Sequence, residues 1–202
     1  MTHGSEQRQI WLASGSPRRK QLLEQMGLTP IVRVADVPEY PEPGESPRAY
    51  ATRLAGQKGR AVRAGVTGAP RWLVAADTVV VLDGQLLEKP VDAADARRML
   101  GALSGRQHEV ITAFWIGAVG GDERTEAVST AVRFRSLTEA EIAGYVRTGE
   151  PMDKAGAYGI QGAAGVFVDR IDGSYFNVVG LPITEVYVAL RQMGAWSELA
   201  LV

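Results

Sequence analysis

The run Leu73-Val74-Ala75-Ala76-Asp77-Thr78-Val79-Val80-Val81-Leu82 constrains the fold more than any other part of the chain. It is rich in β-branched residues and apolar at both parities. As a strand it is apolar on both faces, which suits the interior of a sheet. A carboxylate in its middle costs several kcal/mol unless it is paired, hydrogen-bonded or bound to a metal. Asp77 is therefore read as a site residue: a metal ligand, a general base, or both. The alternatives are a structural ion pair, a strand end open to solvent, or a protonated acid.

Strand and helix patterns alternate around this run. Residues 10–13 predict a strand, followed by a Gly-Ser-Pro turn and a helix carrying Leu22, Leu23 and Met26 that Gly27 closes. Residues 31–34 predict a second strand. Residues 36–47 hold four prolines and four acidic side chains and read as a loop. Ser46 and Pro47 supply the cap and first-turn proline of a helix reaching toward Ala64, weakened by Gly56 and Gly59. Asp83-Gly84 predicts a tight hairpin turn. Asp92 caps a helix containing Met99, Leu100 and Leu103. Strands over 110–116 and 127–134 flank a Gly120-Gly121-Asp122 turn, and Thr138 with Glu141 forms a capping box. A glycine-rich loop over 151–165, a strand over 166–171, a turn at Asp172-Gly173 and a helix over 182–193 follow. About seven strands and about five helices predict an α/β fold with a mixed β-sheet and flanking helices. No linker separates independent domains and no repeat of solenoid length is present. Residues 1–202 are read as a single domain with a polar N-terminal tail over about residues 1–8.

Bulk properties narrow the function. A formal net charge of -1 argues against a broad footprint for nucleic acid, although it permits a local basic pocket for a small phosphorylated ligand. The absence of cysteine removes disulfides, thiol nucleophiles and cysteine metal sites, and suits a reducing cytoplasm. No apolar run is long enough to span a bilayer, and residues 1–8 lack the apolar core of a signal peptide. The expectation is a cytoplasmic protein without membrane or nucleic-acid partners.

Three further segments break local rules. In Ser14-Gly15-Ser16-Pro17-Arg18-Arg19-Lys20, a competent helix start is followed by three cations, which the partial positive charge of a helix N-terminus disfavours. An anion at that end reverses the sign. Free amides, the Ser14 and Ser16 hydroxyls and Arg18 or Arg19 together describe a phosphate site; the alternative is three solvated cations. In Glu88-Lys89-Pro90 the proline stiffens the backbone beside Lys89. Taken alone, Lys89 and Lys58 read as solvated surface lysines. In Asp153-Lys154-Ala155-Gly156-Ala157-Tyr158-Gly159-Ile160-Gln161-Gly162 the glycines allow close approach of backbone to a ligand. Lys154 can pair with phosphate, and Gln161 offers both a donor and an acceptor to a base edge or a metal-bound water. A tight structural loop would explain the glycines alone, but the charged pair and the glutamine within so small a span favour function.

Absences sharpen the reading. There is no Walker-type phosphate loop, and the spacing of Gly159, Gly162 and Gly165 is not the dinucleotide fingerprint. His3 and His108 are the only histidines, which leaves no histidine-rich zinc site, and a lone histidine before a strand is more often structural. Any metal is expected to be hard and oxygen-bound, Mg²⁺ or Mn²⁺.

Leu12-Ala13-Ser14-Gly15-Ser16-Pro17-Arg18-Arg19, Ala76-Asp77-Thr78, Glu88-Lys89-Pro90, Leu103-Ser104-Gly105, the 153–162 segment, Gly173-Ser174-Tyr175 and Val179-Gly180-Leu181-Pro182 resemble, in order, the motifs of the Maf family. The resemblance covers residues 9–193. It implies an α/β fold with two lobes around a cleft, similar to the inosine-triphosphate pyrophosphatases. It also implies hydrolysis of a nucleoside triphosphate between its α and β phosphates, a divalent metal cation and a homodimer. The 153–162 segment resembles the branch associated with dTTP and UTP rather than the sister branch acting on methylated GTP, and house-cleaning of nucleotide pools is the role implied. Carried over by position, the family pattern puts phosphate contacts on Ser14, Arg18, Lys58 and Lys89, with Arg19 nearby. It puts a catalytic base and metal ligand on Asp77, and site roles on Gln161 and the adjacent Lys154. Glu39 matches the second of two acidic residues of the early loop and is a candidate second metal ligand; Pro38 stands where the first is usual. Thr78 and Gln161 are candidates for choosing a pyrimidine base. The rival from another class is a nucleotide-binding regulator of septum formation without turnover.

Overall fold

The computed structural model of the chain describes residues 8–195. The expected polar tail, apart from Arg8, lies outside the described residues, as does His3. The described elements run β1 (Gln9–Leu12), α1 (Pro17–Gln25), β2 (Thr29–Val32), α2 (Pro47–Ala64), β3 (Trp72–Leu82), β4 (Gln85–Leu87), α3 (Ala93–Leu103), β5 (Gln107–Ala118), β6 (Glu123–Phe134), α4 (Glu139–Arg147), β7 (Val168–Asp172), α5 (Tyr175–Val179) and α6 (Ile183–Gln192). The strands form a seven-stranded sheet in the order β2-β1-β3-β5-β6-β7, with β4 paired to β3. β1 runs parallel to β2 and β3, whereas β4 on β3 and β7 on β6 are antiparallel. The sheet is thus mixed, as the hairpin signals require.

By chain contacts the residues fall into two compact units. Among the described residues the first comprises 8–77, 112–128 and 180–195; the second comprises 78–111 and 129–179. In the first, Ile10, Leu12, Leu22, Leu23, Leu54, Leu73 and Trp115 are fully buried. In the second, Leu82, Met99, Leu100, Leu103, Phe134 and Phe167 belong to one apolar cluster.

Local chemistry explains most boundaries. Ser46 caps α2 by accepting from the Ala49 amide at 3.3 Å, and Asp92 caps α3 by accepting from Asp95 at 2.7 Å. Both halves of the Thr138–Glu141 capping box are made. Asp83 and Gly84 both take positive φ, 51° and 78°, the conformation a two-residue hairpin between β3 and β4 demands.

Several boundaries differ from the sequence expectations. β2 starts at Thr29 rather than at residue 31, because its parallel register begins with Gln9 opposite Thr29. Residues 163–167 form a 3-10 turn, so β7 begins only at Val168. Helix α5 carried no expectation. Ser174 Oγ accepts from the Asn177 amide at 3.2 Å, and the buried Asn177 side chain donates to the Val110 carbonyl and Thr130 Oγ1, both at 2.9 Å. These partners lie far away in sequence, and part of the Gly173-Ser174-Tyr175 segment is structural for this reason.

Candidate active site

Three parallel strands of the first unit set the site. β1 pairs with β2 on one side and with the start of β3 on the other, Leu12 standing opposite Val32 and Val74, so the carboxyl ends of β1 and β2 lie together beside the first half of β3, at the kind of edge where open α/β sheets bind ligands. From that edge β1 leads into Ser14, β2 leads into the loop carrying Glu39, and β3 continues to Asp77. The Ala13 amide donates to the Val74 carbonyl at 2.8 Å, and the Arg33 amide donates to the Leu12 carbonyl at 2.9 Å, which holds these exits together.

Asp77 is 8% exposed, and its partner is Lys58 from α2. Lys58 Nζ stands 2.6 Å from Asp77 Oδ1 and 2.6 Å from Glu39 Oε1. The reading of Lys58 as a solvated surface lysine is therefore overturned. Its ammonium is the cation on which two carboxylates converge, and its side chain is only 12% exposed. Asp77 is neither a strand end open to water nor an unpaired burial; it is an ion pair with a third group attached.

The helix α1 start adjoins this cluster. Ser14 Oγ accepts from the Ser16 amide at 3.2 Å and from Arg19 Nη1 at 2.9 Å, which occupies both lone pairs and leaves its O–H as a donor. Arg19 Nε donates to the Gly180 carbonyl at 2.9 Å. Burial pushes the Arg19 pKa down, Asp77 opposes that, Arg18 adds to it, and Glu39 opposes it more weakly. Arg19 therefore senses both carboxylates. The first turn of α1 contains no acidic residue that would neutralise Arg18, Arg19 and Lys20 locally. Ser14, Arg18, Arg19, Glu39, Lys58 and Asp77 all lie in this one unit.

Two carboxylate oxygens on one cation are a hard donor set. A small divalent ion commonly takes one or two carboxylates and completes its shell with water and phosphate oxygens. Glu39 and Asp77 fit that demand. Among the described residues no group of three or more acidic or histidine side chains could enclose a metal by itself.

The other expected residues belong to the second unit: Thr78, Lys89, Lys154 and Gln161. Lys89 is exposed after β4, and the neighbouring Glu88 carbonyl accepts from the Gly156 amide at 3.1 Å, joining the 88–90 segment to the glycine-rich loop. Lys154 Nζ is held by the Glu150 carbonyl and by Asp153 Oδ1, each at 2.6 Å. Gln161 is exposed. The loop is braced from inside by residues the sequence did not single out. Glu150 accepts from the Tyr145 hydroxyl at 3.0 Å and from the Ala163 amide at 3.1 Å, and the Gly159 amide donates to the Tyr145 hydroxyl at 3.2 Å. A Cβ at Gly162 would overlap the Glu150 carboxylate, which explains that glycine without a ligand. His108 lies within β5 and contacts the Tyr158 hydroxyl through Nε2 at 2.8 Å, with edge-on packing against Phe134 and Tyr158. Burial lowers its pKa to about 4, and burial raises that of Tyr158. A neutral, aromatic-packed His108 is structural.

Known proteins resemble the chain along nearly its whole length. The profile of the Maf-like protein family matches residues 9–193. A dTTP/UTP pyrophosphatase of Geobacter sulfurreducens is 54% identical, covering 94% of this chain and 99% of its own. One from Chromobacterium violaceum is 51% identical, covering 92% and 94%. Among solved structures, a nucleoside-triphosphatase / dITP/XTP pyrophosphatase from Mycobacterium abscessus aligns over 95% of this chain and 99% of its own, with 19% identity and a TM-score of 0.42.

Proposed function

The chain belongs to the Maf family, and from that premise we propose that it hydrolyses dTTP and UTP to the monophosphate and pyrophosphate, cleaning nucleotide pools. The observation that carries the reading is the convergence of Glu39 and Asp77 on Lys58 Nζ, at 2.6 Å each, beside a cation-rich helix start. A regulator that only binds anions has no use for a buried carboxylate and a second carboxylate converging on the same cation. Phosphoryl transfer needs positioning and charge neutralisation, and these residue types provide both.

In this reading Ser14 and the first amides of α1 donate to phosphate oxygens, and Arg18 neutralises their charge, with Arg19 holding Ser14 in place. Asp77 accepts the proton of the attacking water. Lys58 turns from the carboxylates to the phosphate when the nucleotide arrives. A divalent cation, Mg²⁺ or Mn²⁺, held by Asp77 and Glu39, supplies Lewis-acid charge stabilisation when bound. On the family pattern Lys89 is assigned with Lys58 to the triphosphate and its hydrolysis, and Gln161 to the site with Lys154 beside it; Thr78 and Gln161 are proposed to choose the pyrimidine base. For Lys154 this requires its ammonium to leave the Glu150 carbonyl. The enzyme is proposed to act in the cytoplasm as a homodimer, without nucleic-acid or membrane partners. Among the described residues no helix is long and apolar enough to cross a membrane.

The test is pyrophosphate release from a panel of nucleoside triphosphates with Mg²⁺, Mn²⁺ and no metal. Metal-dependent release led by dTTP and UTP, lost in Asp77→Asn, is the expected result. Release led by a purine nucleotide overturns the substrate assignment. Binding without release transfers the protein to the regulator class.

A further inference from the structure

Glu39 has a positioning problem. It sits in the connection between β2 and α2, residues 33–46, which holds no helix or strand and is largely exposed, with Val34 71% and Tyr40 75% accessible. No buried apolar side chain anchors this stretch. Yet its carboxylate must stay 2.6 Å from Lys58 Nζ.

Arg53, on the same helix as Lys58, supplies the anchor. Its guanidinium meets Glu45 as a two-pronged pair, Nε to Oε1 and Nη2 to Oε2, both at 2.7 Å. Nη2 also donates to the Tyr40 carbonyl at 2.8 Å, the residue next to Glu39. Nη1 donates to Gln57 at 3.3 Å, Glu42 lies 3.4 Å from Nε, and the guanidinium covers the Tyr50 ring at 5.4 Å. Glu45 closes the turn from the other side, accepting from the Glu42 amide at 3.0 Å. One planar five-donor group thus grips the loop at residues 40, 42 and 45. A lysine ammonium has no fork to match a carboxylate while reaching a carbonyl.

We propose that Arg53 is the positioning residue for Glu39: by clamping the Tyr40 carbonyl and the Glu45 carboxylate to α2, it sets the Glu39 carboxylate at the cation shared with Asp77. The proposal rests on the pyrophosphatase reading for its catalytic consequence and on loop geometry for its structural one. The two are tested separately.

Four variants are compared with the parent: Arg53→Met, Arg53→Lys, Glu39→Gln and the Arg53→Met/Glu39→Gln double variant. Loop geometry is read without turnover, by amide hydrogen exchange over residues 36–45 and by binding of Mn²⁺ alone. Arg53→Met should speed exchange in this loop while leaving the β3 and β5 amides protected, and should weaken Mn²⁺ binding by roughly 10-fold to 100-fold, the usual consequence of losing a residue that orients a ligand. Arg53→Lys, which retains the charge and guards against a folding failure, should fall between Arg53→Met and the parent. In turnover, Arg53→Met should lower kcat for dTTP by a comparable factor with little change in KM, and should add almost nothing in the Glu39→Gln background. Unchanged loop exchange in both Arg53 variants overturns the clamp. Full multiplication of the Arg53→Met and Glu39→Gln losses overturns the route through Glu39. A parent that binds Mn²⁺ but releases no pyrophosphate, with Arg53→Met still showing the exchange effect, overturns the pyrophosphatase reading and leaves the clamp standing.

Discussion

Replacing Lys58 by methionine tests the cluster at its centre. Each of two carboxylates lies 2.6 Å from Nζ, so their nearest oxygens are no more than about 5 Å apart. With the ammonium gone, two like charges face each other at that distance. At an effective dielectric constant of about 20 the repulsion is about 3 kcal/mol. Glu39 is 44% exposed, and solvent screening there brings the expected cost to roughly 2 kcal/mol. For a chain of this size each kcal/mol moves Tm by about 2–4 °C, so Lys58→Met should melt roughly 4–8 °C below the parent at pH 7.5 in EDTA. Asp77→Asn removes one of the two charges. In that background the same replacement should cost well under half as much, a coupling that a double-mutant cycle reads directly. Divalent cations should restore Lys58→Met more than the parent, because the ammonium and a metal compete for the same two oxygens. The assay is thermal unfolding followed by circular dichroism for the four proteins, with and without Mn²⁺. Equal losses in the parent and in the Asp77→Asn background would refute the electrostatic reasoning and leave only lost packing of the lysine stem.

Three other outcomes follow from the geometry. His108 has its pKa lowered to about 4 by burial, against about 6.5 unfolded; the unfolded chain therefore binds the extra proton first, and this contribution is complete above pH 6.5 and is lost as pH falls toward 4, by up to roughly 3 kcal/mol. Urea midpoints measured from pH 7 to pH 4.5 should show that slope, and His108→Gln should flatten it. Gly56 and Gly59 both lie in α2, but a Cβ at Gly59 would overlap the Trp115 indole while one at Gly56 meets only the flexible end of Arg60. Gly59→Ala should therefore cost about 1–3 kcal/mol in denaturant unfolding despite better helix propensity, whereas Gly56→Ala should be neutral or gain up to about 1 kcal/mol. Gly162→Ala should dislodge Glu150 from the Ala163 amide; the expected signature is faster amide exchange over 159–163 with the α3 amides unaffected, and parental exchange there would count against Glu150 as the brace.

How far the site was legible depends on whether its signal was local. Asp77 was visible because a charge inside an apolar strand violates the burial rule on its face. The Ser14 to Lys20 segment was visible because cations at a helix start violate the dipole rule. Lys58 obeyed every local rule and passed for a surface residue; only its position on α2, within reach of Asp77 in the middle of β3, makes it the shared cation. Arg53 and Glu45 were silent for the same reason. An arginine on a helix and one glutamate among four acids in a loop are ordinary until the fold brings them within 2.7 Å of each other.

The glycines show the same division. Sequence alone treated Gly56 and Gly59 as equal flaws in a helix, and Gly159 and Gly162 as openings for a ligand. In the folded chain Gly59 accommodates Trp115, Gly162 accommodates Glu150, and Gly56 accommodates nothing rigid. What the sequence determined by itself was the type of most elements, their caps and their turns, because these depend on residues within a turn or two of one another. The identity of the partners was decided only by tertiary structure. Which cation meets Asp77, what holds Glu39 in an exposed loop and why His108 stays neutral all depend on groups brought together from distant positions, and no local pattern encodes that proximity.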